Sequence, residues 1–368
     1  MRLQVTLASL AATLAVFALA HADGRVGAWV SHHASSDGLT VVSPRATLIA
    51  PVRRGIDVLA GVDADVISGA SIDVLTSASP RGYEEVRKGG YAGLSWRPRV
   101  DTTLAARAIG STENDYLGRA FVLSGEREWL DRRLTTSLGL RASFDEVGRA
   151  GDPRDSFRPL DVVAVDLGAA WVFSRRTVGQ LIVEGQRATG FLASPYRFVR
   201  VAWPGVGLES GVPENTPDER LRFALGVGAR HAVADGWFVA TSVRVYRDSW
   251  AVTSHTEDVE VQRALFGDRL LVGVAGRLYG QSAASFYRAR YVATDAELPR
   301  LRTADKMLAP MSTVLGALRA SVGLGSLGPL RAIRVTVRLE WFEQRFFQFL
   351  PLESRSAVVT SLGLSAEL

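Results

Sequence analysis

Residues 133–145 read Arg-Leu-Thr-Thr-Ser-Leu-Gly-Leu-Arg-Ala-Ser-Phe-Asp. Leu134, Thr136, Leu138, Leu140, Ala142 and Phe144 take one set of alternate positions; Arg133, Thr135, Ser137, Gly139, Arg141, Ser143 and Asp145 take the other. Side chains of a strand alternate faces, so this stretch makes a strand with one apolar face and one polar or small face. A helical spacing would scatter the same residues around an axis. Residues 56–67 repeat the pattern, with Ile56, Val58, Ala60, Val62, Ala64 and Val66 opposite Asp57, Gly61, Asp63 and Asp65. Residues 331–341 do so again, with Ile333, Val335, Val337, Leu339 and Trp341 opposite Arg334, Thr336, Arg338 and Glu340.

Working outward, about sixteen such segments are expected. They lie near 24–32, 39–50, 56–67, 86–96, 99–109, 119–129, 133–144, 161–173, 178–188, 221–231, 237–248, 254–264, 269–280, 311–323, 331–342 and 356–368. The alternation is weakest in 119–129 and 254–264, and a fourteen-strand count is the alternative. Most of these segments exceed the ~5–6 residues of soluble strands and match the ~9–11 that a tilted strand needs to cross a bilayer. The joins sort by parity. Even-numbered joins are tight, at Pro51–Gly55, Arg97-Pro98, Leu130–Arg132, Ser174–Thr177, Ala232–Gly236, Leu265–Asp268 and Gly325–Pro329. The long joins, 68–85, 110–118, 145–160, 189–220, 281–310 and 343–355, are all odd-numbered; two further odd joins, 33–38 and 249–253, are short. Outer-membrane barrels have short periplasmic turns and longer outer loops. The expected fold is therefore all-β: an antiparallel up-and-down transmembrane barrel with both termini in the periplasm.

Residues 1–22 read as a signal peptide. Arg2 is the only charge, Leu7–Ala20 is apolar, and Ala20-His21-Ala22 offers small residues before a cleavage point at Asp23. The barrel is expected over residues 23–368, in a bacterial outer membrane. Beyond residue 22 no apolar run reaches the ~18 residues of a membrane helix. The 368 residues contain no Cys, which excludes disulfides, thiolate metal sites and a Cys nucleophile. With 43 Lys+Arg against 38 Asp+Glu, the net charge of +5 is too even for a nucleic-acid binder. Only Lys88 and Lys306 are lysine, so the basic residues are nearly all arginine. Trp96, Trp171, Phe173 and Trp237 fall beside tight turns, which suits an aromatic girdle at the periplasmic interface.

Several stretches resemble a proteobacterial outer-membrane barrel family of unknown role, the domain-of-unknown-function 3570 family. They are Val66–Asp73 with Ser77–Pro80, Asp145–Arg149, Ser194–Arg197, Asp248-Ser249-Trp250 with His255-Thr256, Ser285-Phe286-Tyr287, and Asp305-Lys306. The resemblance spans nearly the whole of residues 23–368. It implies an outer-membrane barrel of unknown cargo, and a link to periplasmic redox proteins as possible partners. One departure is the C-terminus, which is Leu368 where barrel chains usually end in an aromatic residue read by the barrel assembly machinery.

Candidate chemistry is sparse. Asp145, Glu146, Asp152 and Asp155 form an acidic stretch whose spacing matches no calcium loop. His32 and His33 point to opposite faces of a strand, so no metal site is expected. A hydrolase would pair His255 and Asp258 with Ser249 or Ser254, but no Gly-x-Ser-x-Gly elbow is present. No cofactor is expected, since the Gly323–Gly328 run lacks the Lys-Ser/Thr end of a phosphate loop. The charges at polar-face positions are more informative. Asp57, Asp63, Asp65, Arg107, Arg141, Asp166, Arg222, Arg230, Arg244, Asp258, Glu260, Arg277, Arg319, Arg334, Arg338 and Glu340 are expected to face the lumen. There they escape the ~2–4 kcal/mol that Arg costs on the lipid face at the midplane. The expected function is a porin-like pore or transporter for small solutes, gated by long outer loops, with lipid and the assembly machinery as partners. The alternative is a non-conducting barrel that anchors a periplasmic complex; an outer-membrane hydrolase ranks third.

Overall fold

The computed structural model describes residues 24–69, 83–204, 208–293 and 298–368. The expected leader, residues 1–22, and most of the join 68–85 lie outside the described residues. Sixteen antiparallel strands close into one barrel. In chain order they are β1 (Arg25–Ser35), β2 (Thr40–Arg53), β3 (Ile56–Gly69), β4 (Tyr83–Arg99), β5 (Thr102–Thr112), β6 (Tyr116–Trp129), β7 (Leu134–Val147), β8 (Arg158–Ser174) and β9 (Thr177–Gly190). After two strands that lie outside the wall, β10 (Phe198–Trp203) and β11 (Leu208–Pro213), the barrel resumes with β12 (Glu219–Ala234), β13 (Trp237–Asp248), β14 (Thr253–Leu265) and β15 (Leu270–Gln281). The short β16 (Tyr291–Val292) is again outside, and β17 (Met311–Leu327), β18 (Leu330–Phe346) and β19 (Ser354–Glu367) complete the wall.

Closure is made by β1 and β19, which pair from Arg25↔Glu367 to Ser35↔Ala357. Leu368 continues the seam: its N–H donates to the Gly24 carbonyl at 2.8 Å, its own carbonyl accepts from Arg331, and its side chain packs with Leu48 and Ala50. A closed sheet has no edge, so every strand finds two backbone partners.

Register partners share a face, and the pairings carry one face continuously around the wall. Val30, Leu94, Leu123, Val163, Phe223, Leu318 and Leu362 lie on the outward face and are among the exposed large apolar residues. The opposite face is the concave one. Arg244 on β13 reaches Glu184 on β9 across β12, and Arg230 on β12 reaches Gln262 on β14 across β13. Side chains bridge past an intervening strand only where the wall curves toward them. An apolar outer face around a polar inside is stable in lipid and not in water, so the barrel belongs in the bacterial outer membrane. Trp96, Trp171, Phe173 and Trp237, and with them Trp129, lie on the outward face near the tight turns.

The parity of the joins holds, with differences in length. β5 and β6 are joined by residues 113–115 alone, where a long loop over 110–118 was expected. Joins 145–160 and 343–355 shrink to 148–157 and 347–353 because their strands extend past the expected ends. The segments 191–218 and 282–310 remain long. Leu362 on β19, flanked by Val30 and Val337, faces lipid, whereas Val359 faces inward beside Glu340. Replacing Leu362 by Arg is expected to cost about 2–4 kcal/mol and Val359 by Arg much less, read as urea unfolding midpoints of the refolded barrel in lipid vesicles.

Candidate functional site

The inner wall is built by alternation. By register, the sixteen residues expected to line the lumen share one face of the wall, the face that carries the Arg244–Glu184 and Arg230–Gln262 contacts. Asp63 and Asp65 of β3 sit beside Arg87 of β4, at 2.7 and 3.2 Å, and Ser43 donates to Asp65 at 2.5 Å. Gly89 stands opposite Asp63, where an added Cβ would lie 2.9 Å from the carboxylate. Asp57, nearer the turn, pairs with Arg97 at 3.1 Å. Arg107 lies 6.0 Å from the Tyr91 ring centre. A cavity of ≈ 410 Å³ gathers Arg107, Arg141, Asp166, Arg222 and Arg244 from five strands. Arg222 donates to Gln186 at 3.2 Å, and Arg244 pairs with Glu184.

Further round, Arg277 pairs with Asp258 at 2.6 Å, Gln262 donates to Glu260 at 2.6 Å, and Arg230 donates to Gln262. Arg338 pairs with Glu340 at 2.5 Å, and Arg334 donates to Ser321 at 3.4 Å. Arg319 stands beside Arg338 in register. Sequence reading missed Arg87, the cation on which Asp63 and Asp65 converge, although its odd position in β4 carried the same signal.

The outer mouth carries the second feature, which no alternation announced. The joins 191–218 and 282–310 fold together. β10 and β11 form a hairpin, and β16 adds in parallel to β10 at Val201↔Tyr291. Val199, Val201, Tyr291 and Ala293 make its core. A larger core holds Trp250, Ala284, Tyr287, Leu308 and Phe349 together with Met311 and Phe346. Met311 of β17 pairs in register with Gln281 of β15 and with Phe346 of β18, and all three face inward at the outer ends of their strands. The loop crown is therefore seated on the inner surface of the rim.

Three polar anchors hold it. Asp248 accepts from Arg220, from the Tyr246 hydroxyl at 2.8 Å, and from the N–H groups of Trp250 and Val252 at 3.0 and 2.9 Å. Trp250 donates to the Glu219 carbonyl and meets Phe286 edge-on at 5.2 Å. Glu214 accepts from the Ser194 N–H at 2.8 Å and the Thr303 hydroxyl at 2.5 Å, while Arg197 bridges it to Asp305 at 3.4 and 3.0 Å. Burial raises the Glu214 carboxyl above its ordinary range, with Arg197 opposing. Asp37, in the β1–β2 turn, faces Lys306 at 3.7 Å and Arg355 at 3.6 Å. Burial pushes Asp37 up, but the Ser35 hydroxyl, Lys306 and Arg355 together hold it below its ordinary value. The 148–157 join docks as well: Arg149 donates to the Pro195 carbonyl at 2.8 Å, and Tyr196 accepts from the Ala150 N–H at 2.6 Å.

The other candidates separate. Asp145 faces inward and accepts from Tyr116, whereas Glu146 faces outward and pairs with Arg119, so the acidic stretch does not converge. His255 lies on the outward face and Asp258 on the inward face, and the Ser249 hydroxyl accepts from the Leu221 N–H; no Ser-His-Asp arrangement forms from these residues. His32 and His33 point to opposite faces. Among the described residues, Glu85, Glu113 and Asp115 do bring carboxylate oxygens within 4.8 Å of one another. Arg87 lies 3.6 Å from Glu113 and supplies positive charge there.

Removing the Asp248 carboxylate leaves Arg220 buried without its partner. Asp248→Ala is expected to cost about 3–5 kcal/mol and to expose residues 191–218 to trypsin in intact vesicles. Asp37 gives a pH dependence. Its lowered value means that its contribution is complete above the ordinary aspartate pKa of about 3.9 and is lost as pH falls through the folded value. Amide hydrogen exchange within 282–310, normalised to the intrinsic rate at each pH, is expected to rise on acidification below about pH 3.9, and in Asp37→Asn to be raised at neutral pH and insensitive to that step.

Comparison with known proteins bears on the whole barrel. No curated protein matches the chain. Among solved structures, a bacterial polysaccharide outer membrane secretin aligns with a TM-score of 0.54 at 9% identity, covering 95% of this chain and 99% of that one. OccD3 (OpdP) of Pseudomonas aeruginosa aligns at 0.47 and 8% identity, over 94% and 91%. These likenesses are of fold. The sequence profile of the family described as proteins of unknown function, DUF3570, matches residues 64–349, and the chain belongs to that family.

Proposed function

We propose that the protein is a pore or transporter that passes small solutes through a charged lumen under a loop crown. The observation that supports it most is the inner wall. A barrel of sixteen strands is wide enough to leave an aqueous channel, and many of the arginines and carboxylates of this one share its concave face, where water would solvate them. Charge-lined walls tune which ions and solutes pass. The crown supplies a gate. It is seated on Met311 and Phe346 at the rim and tied down by Asp248, Asp37 and Glu214. Motion of residues 191–218 and 282–310 would open the mouth without disturbing the wall, whose strands keep their own partners.

Reconstituted in a planar bilayer, the folded protein is expected to give discrete conductance steps. Asp37→Asn, which loosens the crown, is expected to raise the open fraction severalfold. Absence of steps above background from correctly folded protein would overturn the pore and favour a barrel that anchors a periplasmic complex.

A further inference from the structure

On the inner wall between β12 and β18 lies a bay whose charges do not cancel. Its floor is small: Ala240, Gly273, Ala275 and Ala317 occupy inward positions on β13, β15 and β17. Longer side chains rise around it and enclose a cavity of ≈ 910 Å³. Four of the lining residues are Arg230, Arg277, Arg319 and Arg338, against Asp258 and Glu260.

The pairing within the bay is uneven. Asp258 is taken by Arg277 and by the Ser242 hydroxyl. Glu260 is held by the Gln262 amide. Arg230 donates to the amide oxygen of Gln262 and lies 5.7 Å from the centre of the Phe238 ring, and among the described residues neither it nor Arg319 has a carboxylate partner. Arg338 is matched by Glu340 alone.

Arg319 and Arg338 are direct register partners on neighbouring strands. Like charges so placed, with Cβ atoms about 5 Å apart, destabilise a sheet. Both side chains are exposed to the lumen. Nothing about closing the barrel requires arginine twice at this level, since the neighbouring row pairs Ala317 with Glu340. An anion between the two guanidinium groups would turn the repulsion into attraction, and the planar fork of arginine suits the paired oxygens of phosphate and carboxylate.

We propose that the bay around Arg319, Arg338 and Arg230 is a binding station for a small anion carrying phosphate or carboxylate oxygens. The inference rests on the pore reading and names the class of solute. Arg230 and Arg319, neither with a carboxylate partner, outweigh Glu260, which no cation among the described residues pairs, so the bay keeps positive charge for the ligand to neutralise, and the small floor leaves room for it against the wall.

Isothermal titration calorimetry on the folded full-length barrel in detergent tests it, with inorganic phosphate and succinate as separate probes. Saturable binding of at least one probe is expected, and the two arms distinguish phosphate from carboxylate. Arg319→Gln is expected to weaken binding at least tenfold, and Arg319→Lys, which keeps the charge but not the fork, by less. Arg54→Gln, in the exposed β2–β3 turn, is expected to leave it unchanged. Heat-dependent gel migration reports that each variant has folded. Binding equal in wild type and Arg319→Gln, or no saturable binding of either probe by the wild type, overturns the station. Conductance without binding removes this inference alone, and binding without conductance removes the pore alone.

Discussion

The constraint on which everything else depends is the backbone hydrogen bond. In hydrocarbon no water replaces a missing partner, so a sheet in the membrane must have no edge. β1 and β19, the first and last strands, therefore have to meet, and their eleven register pairs from Arg25↔Glu367 to Ser35↔Ala357 complete the ring. Closure then fixes the faces. Once one strand turns its apolar side to lipid, pairing obliges each neighbour to do the same. Arginines that would be costly on the outside are gathered on the inside. The lumen chemistry is in this sense a consequence of the hydrogen-bond ring.

The mouth obeys different physics. Above the bilayer, water satisfies backbone groups and no alternation is imposed. There the chain behaves as a small soluble protein, with its own three-stranded sheet, an aromatic core around Trp250 and Tyr287, and buried ion pairs. Five of the stretches that carry the family resemblance, those of 145–149, 194–197, 248–250, 285–287 and 305–306, meet at this crown. Asp248 and Trp250 anchor it, Phe286 packs on Trp250, Arg197 meets Asp305, Lys306 meets Asp37, and Arg149 meets Pro195.

That division explains what the sequence makes legible. All sixteen wall strands could be read, because lipid on one side and water on the other write a period of two. The reading stops where the lipid stops. β18 runs on to Phe346 with Glu343 and Arg345 paired on its outward face, and β8 begins at Arg158 with Asp161 outward. Such polar outward residues erase the alternation while the ladder continues. The weak stretch 254–264 has the same cause, since His255 and Glu257 point outward near the rim. β10, β11 and β16 stayed hidden because they are short and because β16 pairs with a strand about ninety residues away. The lumen charges were legible by parity, but their partners were not. Arg244 reaches Glu184 over an intervening strand, a contact set by curvature.

The central claim is that alternate residues of one continuous wall face water and lipid. The chain has no native Cys, so single cysteines can be placed at each position from Val335 to Trp341 and labelled in vesicles with a membrane-impermeant thiol reagent. The account predicts labelling at 336, 338 and 340, with 335, 337, 339 and 341 protected. Uniform labelling, or protection that does not alternate, would contradict it.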